Sequence, residues 1–176
     1  MVKFINKEKN AIAKPTDAFG GQMVFLIRRG DSNTNVILDA LTQRGTRDII
    51  LQQFVPAAYK GDKRILLLNG EPLGAVLRVH APGEHRNNFF AGGKPVAAKI
   101  TARDREIISI LKPHLKRLGL YFGGIDVIGN YLIEVNVTSP TCLQEMNRLY
   151  KKQLENNVIE FVEDLIAQKK NDITII

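Results

Sequence analysis

A single cysteine, Cys142, stands in a chain of 176 residues, so an internal disulfide and a thiolate zinc site are both excluded. No apolar run approaches the length of a membrane span, and the opening "MVKFINKEKNAIAKP" lacks the hydrophobic core of a secretory signal, which makes a cytoplasmic location the expectation. Internal repeats, low-complexity tracts and interdomain linkers are also missing, and the length suits one domain spanning 1–176. His80, His85 and His114 show no spacing that would set a base beside Cys142, so a nucleophilic triad has no support and Cys142 reads as a packed or site-bordering thiol. No nucleic-acid motif is present, and the adjacent Phe89 and Phe90 make a poor stacking platform.

What is there is an uneven positive charge. Residues 1–100 hold 15 Lys and Arg against 8 Asp and Glu, whereas residues 101–176 hold ten of each, so the whole net charge of +7 belongs to the first part. Charge of that kind suits a polyanionic ligand or a nucleic-acid face equally, and motifs must decide.

The pattern is α+β. "NAIAKP" and "GQMVFLIRRG" read as strands around a glycine-containing loop, "NVILDALTQRG" as a helix stopped at Gly45, and "DIILQQFVP" as a buried strand ended by Pro56. "DKRILLLNGEPLGAVLRVHAP" is a hairpin turning at Asn69-Gly70. The long segment "PGEHRNNFFAGGKP" is a loop of the length that often serves function. A helix capped by Thr101, with Asp104 in its first turn, should bury Ile107, Ile108, Leu111, Leu115 and Leu118 and kink at Pro113. One or two helices run from Cys142 to about Lys169, with Leu143, Met146, Leu149, Leu154, Val158, Phe161 and Leu165 as core.

Between these helices lies "GGIDVIGNYLIEVNVTSP", two apolar strands that nevertheless contain Asp126, Glu134 and Asn136. Two carboxylates and a carboxamide offer the hard oxygens that Mg²⁺ (or Mn²⁺) selects, although pairing with Arg or Lys elsewhere, or a solvated sheet face, accounts for them as well. Register discriminates. With a regular two-residue turn at Gly129-Asn130, Asp126 would pair with Ile133 and Glu134 would point to the other face. Joint ligation therefore predicts a three-residue loop or a bulge between Asp126 and Glu134.

Three further groupings carry weaker signals. "KPTDAFGGQMVF" sets Lys14 at a strand end before adjacent glycines, an arrangement that can cover phosphates but is also a common turn, and it is not a Walker A loop. "QQFVP" ends a strand in a way that can leave backbone groups free for an adenine edge. Arg64, Arg78 and Arg86 could clamp a carboxylate or phosphoryl group, or be solvated surface arginines.

Taken in order, "GTRDIILQQFVPA", "DKRILLLNGEP", "RNNFFAGG" and "GGIDVIGNYLIEVNVTSPTC" resemble the C-terminal, ATP-grasp part of bacterial-type glutathione synthetase, from about Asn10 to about Leu165. The resemblance implies an ATP-grasp fold truncated at its N-terminus, with a mostly antiparallel sheet and packed helices. It also implies ATP- and Mg²⁺-dependent ligation of γ-glutamylcysteine to glycine through an acyl phosphate.

By the same resemblance, Lys14 and the loop Asp17 to Gly21, with Gly20, would grip and cover the ATP phosphates. Gln52, Gln53, Phe54 and Val55 would hold adenine, with Asp62 beside the nucleotide. Arg64 and Arg78 would face the acyl phosphate or substrate carboxylate, and Arg86 with Asn88 would close over the reacting centre. Asp126, Glu134 and Asn136 would hold the metal, and Ser139, Pro140, Thr141 and Cys142 would border the substrate. Ala18 and Asn87 stand where the family has glycine, which predicts stiffer loops. An earlier nucleotide-contacting lysine and the N-terminal domain of the family have no counterpart in these residues, so the resemblance leaves open a fragment of a longer enzyme, half of a split enzyme needing an N-terminal partner chain, a homo-oligomer, or a degenerate nucleotide-binding module, with the apolar "NDITII" tail and the first strands as candidate pairing segments. A nucleotide-binding or assembly subunit without catalysis is the alternative.

Overall fold

The computed structural model describes residues 1–80 and 92–173, with side chains to Lys170. Two compact units result, Met1–Gly61 with Arg78–Lys94 and Asp62–Leu77 with Pro95–Ile176.

The first unit is built on a three-stranded antiparallel sheet in the order β2-β1-β3: β1 is Asn10–Pro15, β2 Phe25–Arg28 and β3 Ile49–Gln53. Strand alternation divides β1 cleanly. Ala11 and Ala13 are fully buried with Ile5 of helix α1 (Val2–Glu8), Ile27 of β2, and Leu38 and Leu41 of helix α2 (Thr34–Thr42). Small alanines at these positions let the helices approach the sheet. Ile12 and Lys14 point to the other face, as do their register partners Gln52 and Ile50 on β3. Helix α2 stops before Gly45: Gln43, Arg44 and Gly45 all take positive φ, and the Thr42 hydroxyl donates to the Leu38 carbonyl while accepting from the Gly45 N–H.

The second unit centres on a five-stranded sheet in the order β6-β5-β4-β7-β8. Its strands are β4 (Asp62–Leu68), β5 (Glu71–Val79), β6 (Lys94–Ala97), β7 (Phe122–Ile128) and β8 (Tyr131–Asn136). Asn69 and Gly70 turn β4 into β5 with φ of 52° and 75°, the left-handed pair that a tight hairpin requires. Ile65 and Leu67 of β4 and Ile125 and Val127 of β7 form one face, packed against Ile107, Ile108 and Leu115 of helix α3 (Ala102–Arg117).

Thr101 caps α3 as its hydroxyl predicts, and the Asp104 carboxylate returns a bond to the Thr101 N–H. Pro113 lies inside α3 without ending it. Helices α4 (Leu143–Tyr150) and α5 (Leu154–Ile173) follow. The Tyr150 hydroxyl lies 2.8 Å from the Ala98 N–H nitrogen and 2.8 Å from the Ala75 carbonyl, tying the end of α4 to β5 and to the segment after β6.

Several expectations change. Leu118 and Leu149 are exposed rather than core: Leu118 is the C-cap of α3, beyond its last buried turn, and Leu149 lies in the last turn of α4, three residues past buried Met146. Strand β6, a 3-10 turn at Pro56–Lys60 and helix α1 add to the elements expected. The loop carrying Arg86, Asn87, Asn88, Phe89 and Phe90 lies outside the described residues, as do residues 174–176 of the tail.

Candidate functional site

The hairpin of β7 and β8 holds the deciding geometry. Gly129, at φ 59°, opens a two-residue turn, and Ile128 pairs with Tyr131 and Val127 with Leu132, as in a regular hairpin. The register then slips between Asp126 and Val127: Asp126 pairs with Glu134, Ile125 with Val135 and Gly124 with Asn136, leaving Ile133 as the extra residue of a β-bulge. Asp126, Glu134 and Asn136 thereby share one sheet face, the bulge being the second of the two devices that joint ligation demanded.

That face opposes the one covered by α3. Across β4 and β7 Arg64 is the Cα partner of Asp126 and Leu66 that of Gly124. Arg64 Nε donates to Asp126 Oδ1 at 2.5 Å and Nη2 to Oδ2 at 2.9 Å, a two-point ion pair between side chains only 6% and 4% exposed. The salt bridge offered as the alternative for these acids is thus real for Asp126, and it coexists with the shared face. Glu134 is exposed beside it.

Asn136 has a buried carboxamide nitrogen with no hydrogen-bond partner among the described residues. Turning the amide over, which exchanges its N and O positions, would leave an unpartnered oxygen there instead. A buried amide atom without a partner, a carboxylate opposite and another beside it are donors of the type a hard divalent cation takes, so the residues fit such an ion. Among the described residues no three His, Cys, Asp or Glu side chains gather as a metal cluster, so the set rests on the carboxamide as its third member.

Gly124 gives this face its shape. A Cβ there would lie 3.0 Å from Pro140 Cβ and 3.2 Å from Arg64 Cδ, so the missing side chain lets Pro140 and the arginine stem close over β7. Ser139 and Thr141 flanking Pro140 are exposed. Cys142 is buried as the N-cap residue of α4 at φ 90°, with its sulfur 3.8 Å from Thr141 Oγ1. It is a packed thiol. Asp62 and Arg78 are buried polar residues at the start of β4 and near the end of β5.

On α3 the Asp104 carboxylate accepts at Oδ2 from Lys63 Nζ at 2.5 Å, from the Thr101 N–H at 2.7 Å and from the Thr101 hydroxyl at 2.9 Å. Burial alone would raise its pKa, but the Lys63 and Thr101 hydrogen bonds and the Lys63 charge prevail and hold it below the usual value. This pair fixes β4 to α3 one residue from Arg64.

In the first unit, Lys14 and Gln52 share the sheet face opposite the helices, whereas Gln53 points to the helix side. Phe54 is buried, its N–H bonded to the Asn10 carbonyl at 3.1 Å and its ring edge-on to Tyr59 with centroids 5.1 Å apart. Val55 then enters the turn that Pro56 opens. The loop after Lys14 is shaped by Gly20 and Gly21 at φ 65° and 78°, while Ala18 is not among the positive-φ residues, so its side chain brings no backbone strain there. Arg47 ion-pairs with Asp17 at the root of this loop, and that hydrogen bond foremost lowers the Asp17 pKa.

The Arg64–Asp126, Lys63–Asp104 and Arg47–Asp17 pairs went unread in the sequence. A signal existed for the first, since each residue interrupts an apolar run and their charges are opposite.

The profile of the family described as "Prokaryotic glutathione synthetase, ATP-grasp domain" matches residues 1–151. The chain belongs to that family. This glutathione-synthetase-type ATP-grasp chain is 48% identical over 160 residues to the glutathione synthetase of Thermosynechococcus vestitus, covering 91% of itself and 50% of that relative. To the glutathione synthetase of Pseudomonas aeruginosa it is 42% identical over 168 residues, 95% of the chain and 53% of the relative. It therefore spans about half the length of the curated relatives it matches.

Among solved structures, a D-alanine–D-alanine ligase from Bacillus anthracis complexed with ATP superposes with a TM-score of 0.63 at 12% identity, over 93% of this chain and 54% of that one. A D-cycloserine synthetase gives 0.65 at 16%, over 82% and 53%. The fold of this glutathione-synthetase-type chain is ATP-grasp, α+β with antiparallel sheets. Among the described residues no helix is long and apolar enough to cross a membrane.

Proposed function

We propose that the chain is the ATP-binding catalytic module of a glutathione synthetase, ligating γ-glutamylcysteine to glycine in the cytoplasm at the expense of ATP. The bulge that brings Glu134 opposite Asp126 carries this reading, because a regular hairpin would have divided the acids between two faces. In the first unit Lys14 supplies a point charge for phosphate and the Asp17–Gly21 loop supplies backbone N–H groups to cover it, while Gln52 to Val55 border the adenine.

In the second unit Asp126, Glu134 and Asn136 would hold Mg²⁺ or Mn²⁺. When bound, the ion neutralises phosphate charge as the γ-phosphoryl is transferred. Asp62 lies beside the nucleotide in this reading. Arg64 commits two of its five N–H donors to Asp126, which orients the guanidinium so that its remaining donors, with those of Arg78, meet charge developing on the acyl phosphate. Ser139 to Cys142 border the acid substrate. Glycine's amine attacks the activated carbonyl and phosphate departs, and Arg86 and Asn88 are the residues proposed to shield that step from water.

Because the chain spans half the length of its relatives, we propose that ligation needs the N-terminal part those relatives carry, whether in the same polypeptide or in a partner chain. A nucleotide-binding subunit is what remains without it. A coupled assay for ADP release with γ-glutamylcysteine and glycine tests this: turnover when an N-terminal half is supplied supports it, and ADP binding without turnover under every combination leaves only the binding subunit.

A further inference from the structure

We infer that the exposed side of helix α5 is a self-association surface, on which α5 of a second copy of this chain lies antiparallel about a twofold axis near Val162.

Helix α5 carries two apolar stripes. Leu154, Val158, Phe161 and Leu165 recur at helical spacing on the inner one. Leu154 is buried over β5, where a Gly74 Cβ would meet its Cδ1 at 3.1 Å, and the Phe161 ring lies 5.6 Å from that of Tyr121, centroid to centroid. The inner stripe is thus taken up by the chain's own second unit. Beside it Ile159, Val162 and Ile166 are 57%, 43% and 50% exposed among the described residues. Scattered exposed apolar side chains are ordinary, but three of them spaced by three and four residues form one continuous helix face, which is the pattern of a helix contact. The helix also begins after residue 151, where the match to the ATP-grasp profile ends, so this face lies outside the segment that the profile describes.

Charge selects the occupant. Glu155 and Lys169, both exposed, continue the stripe at its two ends, giving 155, 159, 162, 166 and 169. Glu155 accepts from the Asn147 carboxamide, which holds it at the start of the helix. A twofold rotation near Val162 brings Ile159 over Ile166 of the second copy, Val162 over its own counterpart, and Glu155 over Lys169, so every contact but the central one occurs twice. A parallel pair would instead set Glu155 against Glu155 and Lys169 against Lys169, and like charges repel. The rest of the helix agrees, since Glu160, Glu163 and Asp164 precede Lys169 and Lys170, and antiparallel helix dipoles bring unlike ends together. A partner of a single charge sign would satisfy only one end of the stripe. From Glu155 to Lys169 the contact runs about 21 Å, at about 1.5 Å per residue, which suits a reversible dimer.

Sedimentation velocity of the full chain over a wide concentration range tests this. Wild type should pass from monomer to dimer, and Val162→Lys should stay monomeric because two lysines would meet at the axis. Glu155→Lys and Lys169→Glu should each weaken the dimer about tenfold, whereas Glu155→Lys/Lys169→Glu should regain most of the wild-type affinity. A wild type that is monomeric at every concentration overturns the inference, as does a dimer that Val162→Lys leaves intact or charge reversals that the double variant does not rescue. A wild type that stays monomeric but binds the N-terminal half of a glutathione synthetase, with that binding lost in Val162→Lys, also overturns it and gives the stripe to that half. Should Glu155→Lys fail to fold for want of the Asn147 contact, Val162→Lys and Lys169→Glu decide, and a dimer that neither weakens contradicts the inference.

Discussion

The two units treat their polar residues in opposite ways. In the first, Lys14 and Gln52 are half-buried on the sheet face away from the helices, and the loop between β1 and β2 is held by left-handed glycines and the Asp17–Arg47 pair at the surface. In the second, Arg64, Asp126 and Asp104 are buried and their charges are matched within the protein. A lysine without a carboxylate fixed against it among the described pairs, beside a glycine loop, suits gripping a ligand that arrives with its own charge. A buried, matched pair suits groups that must be oriented before the ligand arrives.

Substitutions should expose this difference as a gradient of stability cost. The steepest loss is expected for Asp126→Ala, which strands the Arg64 charge in the interior and should cost about 3–5 kcal/mol in denaturant unfolding. Asp104→Asn should follow at about 2 kcal/mol, because it takes the carboxylate from Lys63 and weakens the cap of α3. Its folded pKa lies below the unfolded value, so the Asp104 contribution is present above the unfolded pKa and fades as pH falls through the folded one. Melting temperatures of wild type and Asp104→Asn should therefore converge at acid pH, and a constant gap would show that the charge plays no part.

Gly124→Ala is milder, at about 1–3 kcal/mol, since Pro140 and the Arg64 stem must yield by a few tenths of an ångström. At the far end, Arg47→Ala should leave the melting temperature unchanged while weakening ADP severalfold, because Asp17 is exposed and the pair only organises the loop. An unfolding effect as large as that of Asp104→Asn would erase the contrast between the units.

How much of this could be read from sequence depended on range. Local signals held: Asn69-Gly70 makes its hairpin, Thr101 and Asp104 form a capping box, and the alternation of β1 places Lys14 opposite the helix face. The bulge was legible because parity alone forbids Asp126 and Glu134 from sharing a face across a two-residue turn. Pairings across long separations were not, since the partner of Asp126 is set by the β4–β7 register, 62 positions away in the chain. Strand β6 was missed for a different reason: all four of its residues are exposed and one is Pro95, so neither burial nor alternation marks it. Leu118 and Leu149 show the limit of helical periodicity at helix ends, where the stripe continues after the core has stopped.

The face shared by Asp126, Glu134 and Asn136 is proposed to bind a nucleotide through a divalent ion. Calorimetric titration of the chain with ADP, with and without Mg²⁺, tests it most directly when repeated on Glu134→Gln. Mg²⁺-dependent ADP binding is expected in wild type and should be lost in the variant, with the fold intact. ADP affinity indifferent to Mg²⁺ and to Glu134, or no ADP affinity beside tight, salt-sensitive RNA binding, would contradict it.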